Sequence, residues 1–265
     1  MGDRVYPKLV GARLRGQMTY RVSFALECLG QGFAQASELV VILALFGQVD
    51  SLGGFSRSEV ILMYAIASTA FGIADLVAGQ LNELPDYIRT GKFDVLLLRP
   101  LGTLPQIVVS DVRLRRVGRV AIGVVVMVHA LGHNDIAWSP WTALLAVVAP
   151  LAGAVIFSAV WVVACAVCFW LVEAQELANT VTYGSNAFTS NPITVYQGWL
   201  RRFMAFVVPG AFVAYYPALA LLDRPDPLGG PAFLGWVSPL VALAAAGVAG
   251  LVWRFAVRHY RGTGS

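Results

Sequence analysis

Charged side chains are scarce in this sequence of 265 residues, in which Asp, Glu, Lys and Arg make up 13% and hydrophobic residues 58%. Three Cys are too few for a disulfide scaffold, and 26 Gly without a regular period exclude a collagen-like chain. The abundance of hydrophobic residues also excludes intrinsic disorder. The composition is that of a polytopic membrane protein with short loops, so we expect no large soluble domain.

Five long apolar runs are candidates for membrane-spanning helices. They cover residues 28–49 and 60–82, a helix that begins near Asp111 and continues to 132, and parts of 136–172 and 227–253. At 1.5 Å per residue, about 20 residues suffice to cross the hydrocarbon core. Four arginines at the start of the third helix are predicted to extend, or snorkel, to the membrane interface: Arg113, Arg115, Arg116 and Arg119.

The region between the fourth and the last of these runs has two interpretations. Hydropathy alone selects residues 203–222 as a further span. Alternatively, residues 178–191 form most of a polar span, and 192–222 dips into the membrane and returns to the side it came from. Pro209 and Pro217 favour the interrupted segment, but the sequence alone leaves both interpretations open.

The basic residues indicate the orientation. Of 19 Lys and Arg, 17 lie on the side of the two termini under the first interpretation and 15 under the second. This excess follows the positive-inside rule, so both termini are expected in the cytosol. Within residues 1–21, Leu9, Val10, Leu14 and Met18 recur at helical spacing between basic residues, which predicts an interfacial helix on the membrane surface. The alternative is a mobile basic tail that only determines the topology.

Acidic residues within the apolar runs are candidates for function, because a charge at membrane depth is costly. Glu38 and Asp75 are predicted on a translocation path, where they would bind a cation, a substrate or a neighbouring helix. A protonated structural role fits them equally well. If the polar span exists, Asn179, Thr182 and Asn186 are expected to face the same path.

A connection of mixed character lies at residues 83–106, between the second and third runs. Pro85 suits a first helical turn and Pro100 a helix end, so two short helices are predicted around Gly91. An apolar face is expected to sit on the membrane or on a partner: Phe93, Leu96 and Leu97. Polar side chains are available for contacts: Asp86, Arg89, Lys92, Asp94 and Arg99. In an alternative interpretation, Asp94 and Arg99 simply pair with each other.

Several strings in the sequence resemble one family. They are Gly-Lys-Phe-Asp at 91–94 followed by Leu-Leu-Arg-Pro-Leu at 97–101, the segment 209–217 with its two tyrosines, and a closing region with Trp253 and Tyr260. Together they resemble the ABC-2 type permeases and, more narrowly, a six-span branch of bacterial export permeases.

The resemblance implies an all-α polytopic membrane protein. Its expected parts are an interfacial helix at 1–21, six transmembrane helices within 22–257, a cytosolic coupling helix within 83–106, a re-entrant hairpin at 192–222 and a cytosolic tail at 258–265. The hairpin would lie between spans five and six, which favours the second interpretation above. By the same analogy the coupling helix docks on a separate ATPase, through Asp86, Arg89, Phe93, Asp94, Leu97, Arg99 and Pro100.

The function implied is that of the transmembrane subunit of an ATP-binding-cassette exporter in the bacterial inner membrane. No Gly-x-x-x-x-Gly-Lys-Ser/Thr string occurs, so ATP and Mg²⁺ are expected in a partner, and no catalytic, cofactor or metal site in this chain. The expected partners are a cytosolic ATPase dimer, a second permease and membrane lipid, but not nucleic acid. One alternative is an ion-coupled transporter or channel that uses Glu38 and Asp75 without ATP, and another is a membrane scaffold.

Overall fold

The computed structural model describes residues 21–110, 116–171 and 175–260, and these ranges are helical without a β-strand. The interfacial helix predicted at 1–21 lies outside the described residues, except for its last residue. Arg113, Arg115 and the last five residues of the predicted tail also lie outside them.

The described ranges contain eleven α-helices. They are α1 (Arg21–Leu45), α2 (Arg57–Ala78), α3 (Leu84–Arg89), α4 (Lys92–Leu97), α5 (Thr103–Ser110), α6 (Val117–His133), α7 (Pro140–Ala166), α8 (Gln175–Thr189), α9 (Gly198–Arg202), α10 (Tyr215–Leu221) and α11 (Ser238–His259). Short 3₁₀ turns join several of them, including Gly79–Glu83 between α2 and α3. A π-helical turn, Phe203–Val207, continues α9.

Three helical stretches of the described chain are long and apolar enough to cross a membrane: Arg57–Arg89, which runs from α2 through α3, Pro140–Phe169 and Ser238–His259. Two shorter apolar helices are Leu29–Leu45, within α1, and α6. The chain is therefore an all-α protein that crosses a membrane several times, which confirms the fold class expected from its composition.

The centre of the bundle is α2, which packs against both α6 and α7. Tyr64, Ile66 and Phe71 on this helix are at most 2% exposed, and the ring of Phe71 stacks on Trp161 of α7 at 5.5 Å between centroids. By contrast, α11 packs along α7 at the edge of the bundle, and only 22% of its apolar window is buried. Its exposed leucines and valines therefore form an apolar outer face of the bundle.

A small polar contact ties α1 to α2. Gln35 Nε2 donates to the hydroxyl of Tyr64 at 2.7 Å, and that hydroxyl donates back to the carbonyl oxygen of Gln35 at 2.8 Å. Gln35 Nε2 also contacts the hydroxyl of Ser68. All three side chains are buried, so each polar group depends on these partners in place of water.

Residues 192–222 contain two short helical limbs, and we call this segment the hairpin after the prediction made for it. Its inbound limb is α9 with the π-helical turn, its outbound limb is α10 with the 3₁₀ turn before it, and the two limbs are bent by 63° relative to each other, as in a broken span or a re-entrant loop. Near its start, Thr194 Oγ1 donates to the carbonyl oxygen of Gly53 at 2.8 Å. Just beyond its end, Arg224 Nη2 donates to the carbonyl oxygen of Gly54 at 2.6 Å. Both ends thus reach the same loop, which favours the re-entrant interpretation over a single straight span.

Arg224 also connects the residues just after this hairpin to the start of α2. Its Nη1 lies 2.6 Å from both carboxylate oxygens of Glu59, and its guanidinium lies 4.3 Å from the ring centroid of Phe55. The hydroxyl of Tyr215, on α10, donates to Asp226 at 2.6 Å. We call this end of the bundle the hairpin end, and the opposite end, which carries α3, α4 and α5, the coupling end.

The close approach of α2 and α6 generates a test. A Cβ added at Gly123 would fall 2.9 Å from the Cα of Thr69 and 3.0 Å from its backbone nitrogen, whereas one added at Gly247 on α11 would meet nothing within 4 Å. Gly123→Ala should therefore lower the free energy of unfolding by about 1–3 kcal/mol, because backbone atoms cannot easily move aside. The measurement is the thermal unfolding midpoint of the purified chain in detergent. Gly247→Ala is the control, and equal midpoints for the two variants would contradict this packing.

Candidate coupling surface and polar core

The predicted pair of short helices is present at the coupling end. α3 has Pro85 in its first turn, and α4 begins after Gly91, whose φ of 67° lies in the left-handed region. Glycine adopts this conformation without the steric cost that a Cβ adds, so the residue reverses the chain between the two helices. The reversal places α3 and α4 against each other beneath the bundle.

Phe93 anchors α4 to the bundle. Its side chain is fully buried, and its ring centroid lies 5.0 Å from those of Phe169 and Tyr260 in edge-to-face geometry. Phe169 in turn packs on Trp253 of α11 at 5.3 Å. The prediction that Phe93 contacts a partner directly is therefore wrong, because the end of α7 and the end of α11 enclose this ring completely.

The surface of the coupling end combines apolar and charged side chains. Leu98 is 85% exposed and Leu97 44% exposed. Five further predicted contact residues are exposed as well: Asp86, Arg89, Asp94, Arg99 and Pro100. We call these seven residues the coupling patch. Leu98 was missed by the sequence analysis, because helical periodicity selects the face of Phe93, Leu96 and Leu97.

The charged side chains of the coupling patch are not neutralised by strong contacts with other described residues. Asp86 and Arg89 pair at 2.5 Å with side chains 56% and 73% exposed, and such a solvated pair contributes little stability. Among the described residues no ion pair joins Asp94 to Arg99, so the alternative that they simply pair is not observed. Asp94 instead lies beside Tyr260, where burial and the neighbouring carboxylate raise the pKa of the phenol. The patch therefore presents charges that a partner can engage.

The strongest polar cluster lies inside the bundle. Asp75 on α2 accepts contacts from Arg116 Nε at 3.1 Å and from Arg119 Nη1 at 3.4 Å. Arg119 also donates to Gln31 of α1 at 3.3 Å, and all three charged side chains are at most 16% exposed. The cluster thus joins α1, α2 and the start of α6.

The prediction that Arg116 and Arg119 snorkel to the interface is therefore wrong. They turn inwards because a buried carboxylate at Asp75 offers an anion that the interface would not provide. Gly79 makes room for this arrangement, since a Cβ at that position would fall 2.7 Å from the guanidinium carbon of Arg116.

The predicted path residues are not brought together. Asp75 is held in the ion cluster, whereas Glu38 is exposed on α1, within the electrostatic range of Arg119 and close to the hydroxyl of Tyr64. A carboxylate already compensated by two guanidinium groups attracts a further cation weakly. The arrangement of Asp75 therefore offers no support for an ion-coupled mechanism.

Buried hydroxyl groups on α8 are bonded within their own helix. Thr182 is 1% exposed, and its hydroxyl donates to the carbonyl oxygen of Ala178 at 2.8 Å. Ser185 makes the same bond to Val181 at 2.6 Å. Asn179 and Asn186 are half-buried. In this conformation Thr182 is a packing residue, so the expectation that it faces an open path does not fit its burial.

Comparison with protein families identifies the chain. Residues 33–264 match the family model described as "ABC-2 family transporter protein". The chain belongs to the ABC-2 transporter family. As a member of this family it is a permease subunit of an ABC transporter and a multi-pass membrane protein, and membership of the family implies partnership with an ABC ATPase. Comparison of this ABC-2 permease with curated proteins and with solved structures gives no match.

The ion cluster of this ABC-2 permease generates a test. Asp75→Asn should lower the free energy of unfolding by about 3–5 kcal/mol, because it removes the buried carboxylate that both Arg116 and Arg119 contact. Arg119→Gln keeps the contact between Asp75 and Arg116, so its cost should be about 1 kcal/mol. Thermal unfolding midpoints in detergent measure both changes. A midpoint for Asp75→Asn as high as that for Arg119→Gln would contradict the central role of Asp75 in this cluster.

Proposed function

We propose that this ABC-2 permease forms half of the translocation path of an exporter and is driven by a separate cytosolic ATPase that docks on the coupling patch. A second permease, identical or a sister subunit, would complete the path. ATP and Mg²⁺ would then be bound by the ATPase. In this arrangement the coupling end and both termini face the cytosol, and the hairpin end faces the opposite side of the bacterial inner membrane.

The observation that carries this proposal is the burial of Phe93 directly behind an exposed patch. The aromatic cluster of Phe93, Phe169, Trp253 and Tyr260 connects α4 to the ends of α7 and α11. A force applied to α4 therefore reaches two transmembrane helices through closely packed rings, which transmit displacement because protein interiors are densely packed.

A second route runs through α3. The stretch Arg57–Arg89 is helical over 33 residues, so α3 continues the central helix α2. The contacts of Asp75 with Arg116 and Arg119 then connect α2 to α6. Movement of the two short helices would thus be shared by α2, α6, α7 and α11. Coupling further requires that nucleotide and cargo each favour one of two conformations.

The composition of the coupling patch suits a protein partner. Leu97 and Leu98 supply an exposed apolar centre, and the charged residues surround it. Apolar anchors with a polar rim are the usual arrangement of protein interfaces, and a few central side chains supply most of the affinity. Leu98, with 85% of its surface exposed, is the side chain with most to bury on docking.

Leu98→Glu tests the docking surface. The tagged chain, co-expressed with its cognate ABC ATPase and extracted in mild detergent, should retain the ATPase when it is wild type. The variant should retain at least about tenfold less ATPase than the wild-type chain, because a charge replaces a central apolar anchor. The readout is the amount of ATPase per permease after affinity purification, with the thermal midpoint of the variant as a check of folding.

Leu228→Glu is the matched control, since Leu228 is 43% exposed in a loop at the hairpin end. It carries the same substitution on the far side of the bundle and should retain the ATPase fully. Undiminished retention by Leu98→Glu, or failure of the wild-type chain to retain any ATPase, would contradict the proposed function.

A further inference from the structure

An apolar groove runs along the lipid-exposed side of the hairpin. Its volume is about 520 Å³, and it lies between α7, α8, α11 and the π-helical turn of the inbound limb. All of its lining residues are apolar, and they include Val163 on α7, Val181 on α8, Phe206 and Val207 on the π-helical turn, and Ala244 on α11. A groove of this composition within the membrane offers no partner to a polar ligand.

The inbound limb opens the groove towards lipid. Phe206 and Val207 line it and remain 59% and 67% exposed. They lie on the π-helical turn, where the amide of Val208 donates to the carbonyl oxygen of Phe203 at 3.1 Å, five residues back. Such turns are wider than an α-helical turn and often occur at functional positions.

Two arginines precede the groove-lining residues on the inbound limb, by about one helical turn. Arg201 is half-buried and Arg202 is exposed, and neither guanidinium group has an ion pair or hydrogen bond with any residue in the described ranges. Arg224, at the other end of the hairpin, is held by Glu59. Arg201 and Arg202 therefore differ from it in having guanidinium groups that remain available for an outside anion.

The helical register connects these arginines to the groove. Arg202 and Phe206 are four residues apart on one helical run, so they share a face with about 6 Å between them along the axis. Trp199, which is 76% exposed, precedes the two arginines by less than one helical turn. Exposed tryptophan and arginine at the head of an apolar segment are typical of the boundary between lipid headgroups and acyl chains.

We propose that this groove binds an anionic phospholipid, with an acyl chain along the apolar walls and the phosphate on Arg201 and Arg202. Guanidinium groups bind phosphate oxygens with charge-assisted hydrogen bonds, often two at a time. The single negative charge of the phosphate offers both guanidinium groups an anion that the described residues do not supply. The apolar walls account for the acyl chain. This site goes beyond the proposed function and does not depend on an ATPase.

The test uses the whole chain in lipid nanodiscs that contain phosphatidylglycerol with a photoactivatable group near the end of its acyl chain. After illumination, mass spectrometry of the peptides locates the crosslinks. We expect them on the inbound limb and on the groove face of α11. Phosphatidylcholine with the same acyl chains should crosslink there at least about tenfold less, because its zwitterionic headgroup offers a weaker charge complement. Equal crosslinking by the two lipids would overturn the proposal.

Separate variants test the headgroup half and the acyl-chain half of the site. The double variant Arg201→Gln/Arg202→Gln should lower crosslinking by phosphatidylglycerol at least about tenfold, the effect of losing hydrogen bonds to a charged group. Arg254→Gln/Arg258→Gln removes the same charge from exposed positions at the coupling end and should leave it unchanged. An equal loss in both double variants would show a general charge effect and overturn the assignment.

The acyl half is tested on α11. Ala244 lines the groove and Ala246 does not, although both are exposed on the same helix. Ala244→Phe should fill the groove and reduce crosslinking several-fold, while Ala246→Phe should have no effect. Unchanged crosslinking in Ala244→Phe would overturn the placement of the acyl chain. Because the ATPase is absent from this experiment, its outcome is independent of the docking test at the coupling patch.

Discussion

Within a membrane a buried polar group has no water to bond, and this constraint governs how the bundle is built. On α2, Asp75 is met by two arginines at the start of α6, and Tyr64 by a glutamine of α1. On α8 the solution is local, since the hydroxyl of Thr182 donates to a carbonyl one turn earlier. The central position of α2 depends on these partners, because burying Asp75 and Tyr64 without them would be costly.

Most of the fold follows from hydropathy, because an apolar run longer than about 20 residues has few alternatives to crossing the membrane. The hairpin is the exception. Residues 203–222 are as apolar as a span, and hydropathy cannot distinguish a crossing from a return. The structural evidence on this point is two contacts with the loop at Gly53 and Gly54. Their partners, Thr194 and Arg224, lie 141 and 170 residues later in the sequence. No local pattern encodes a contact at that distance.

The candidate site was only partly predictable for a related reason. Local signals at Pro85 and Gly91 correctly indicate two short helices, and most of the charged residues there are exposed as expected. Helical spacing, however, does not distinguish an apolar face that packs on the bundle from one that contacts a partner. It therefore predicts Phe93 at a partner surface, whereas the side chain is buried in the bundle. Arg116 was misplaced in the same way, because its partner Asp75 lies 41 positions earlier in the sequence and the span boundary alone suggested the interface.

The two ends of the molecule are mechanically connected by one helix. The stretch Arg57–Arg89 has 33 residues and is about 50 Å long at the rise of an α-helix. Near its start Glu59 holds Arg224 and with it the hairpin, and its last turns are α3 of the coupling end. Densely packed helices shift between discrete arrangements instead of deforming continuously. If α2 follows a displacement of α3 across the 3₁₀ turn Gly79–Glu83, the displacement acts on the two contacts between Arg224 and Glu59, and through them the proposed coupling would reach the hairpin end.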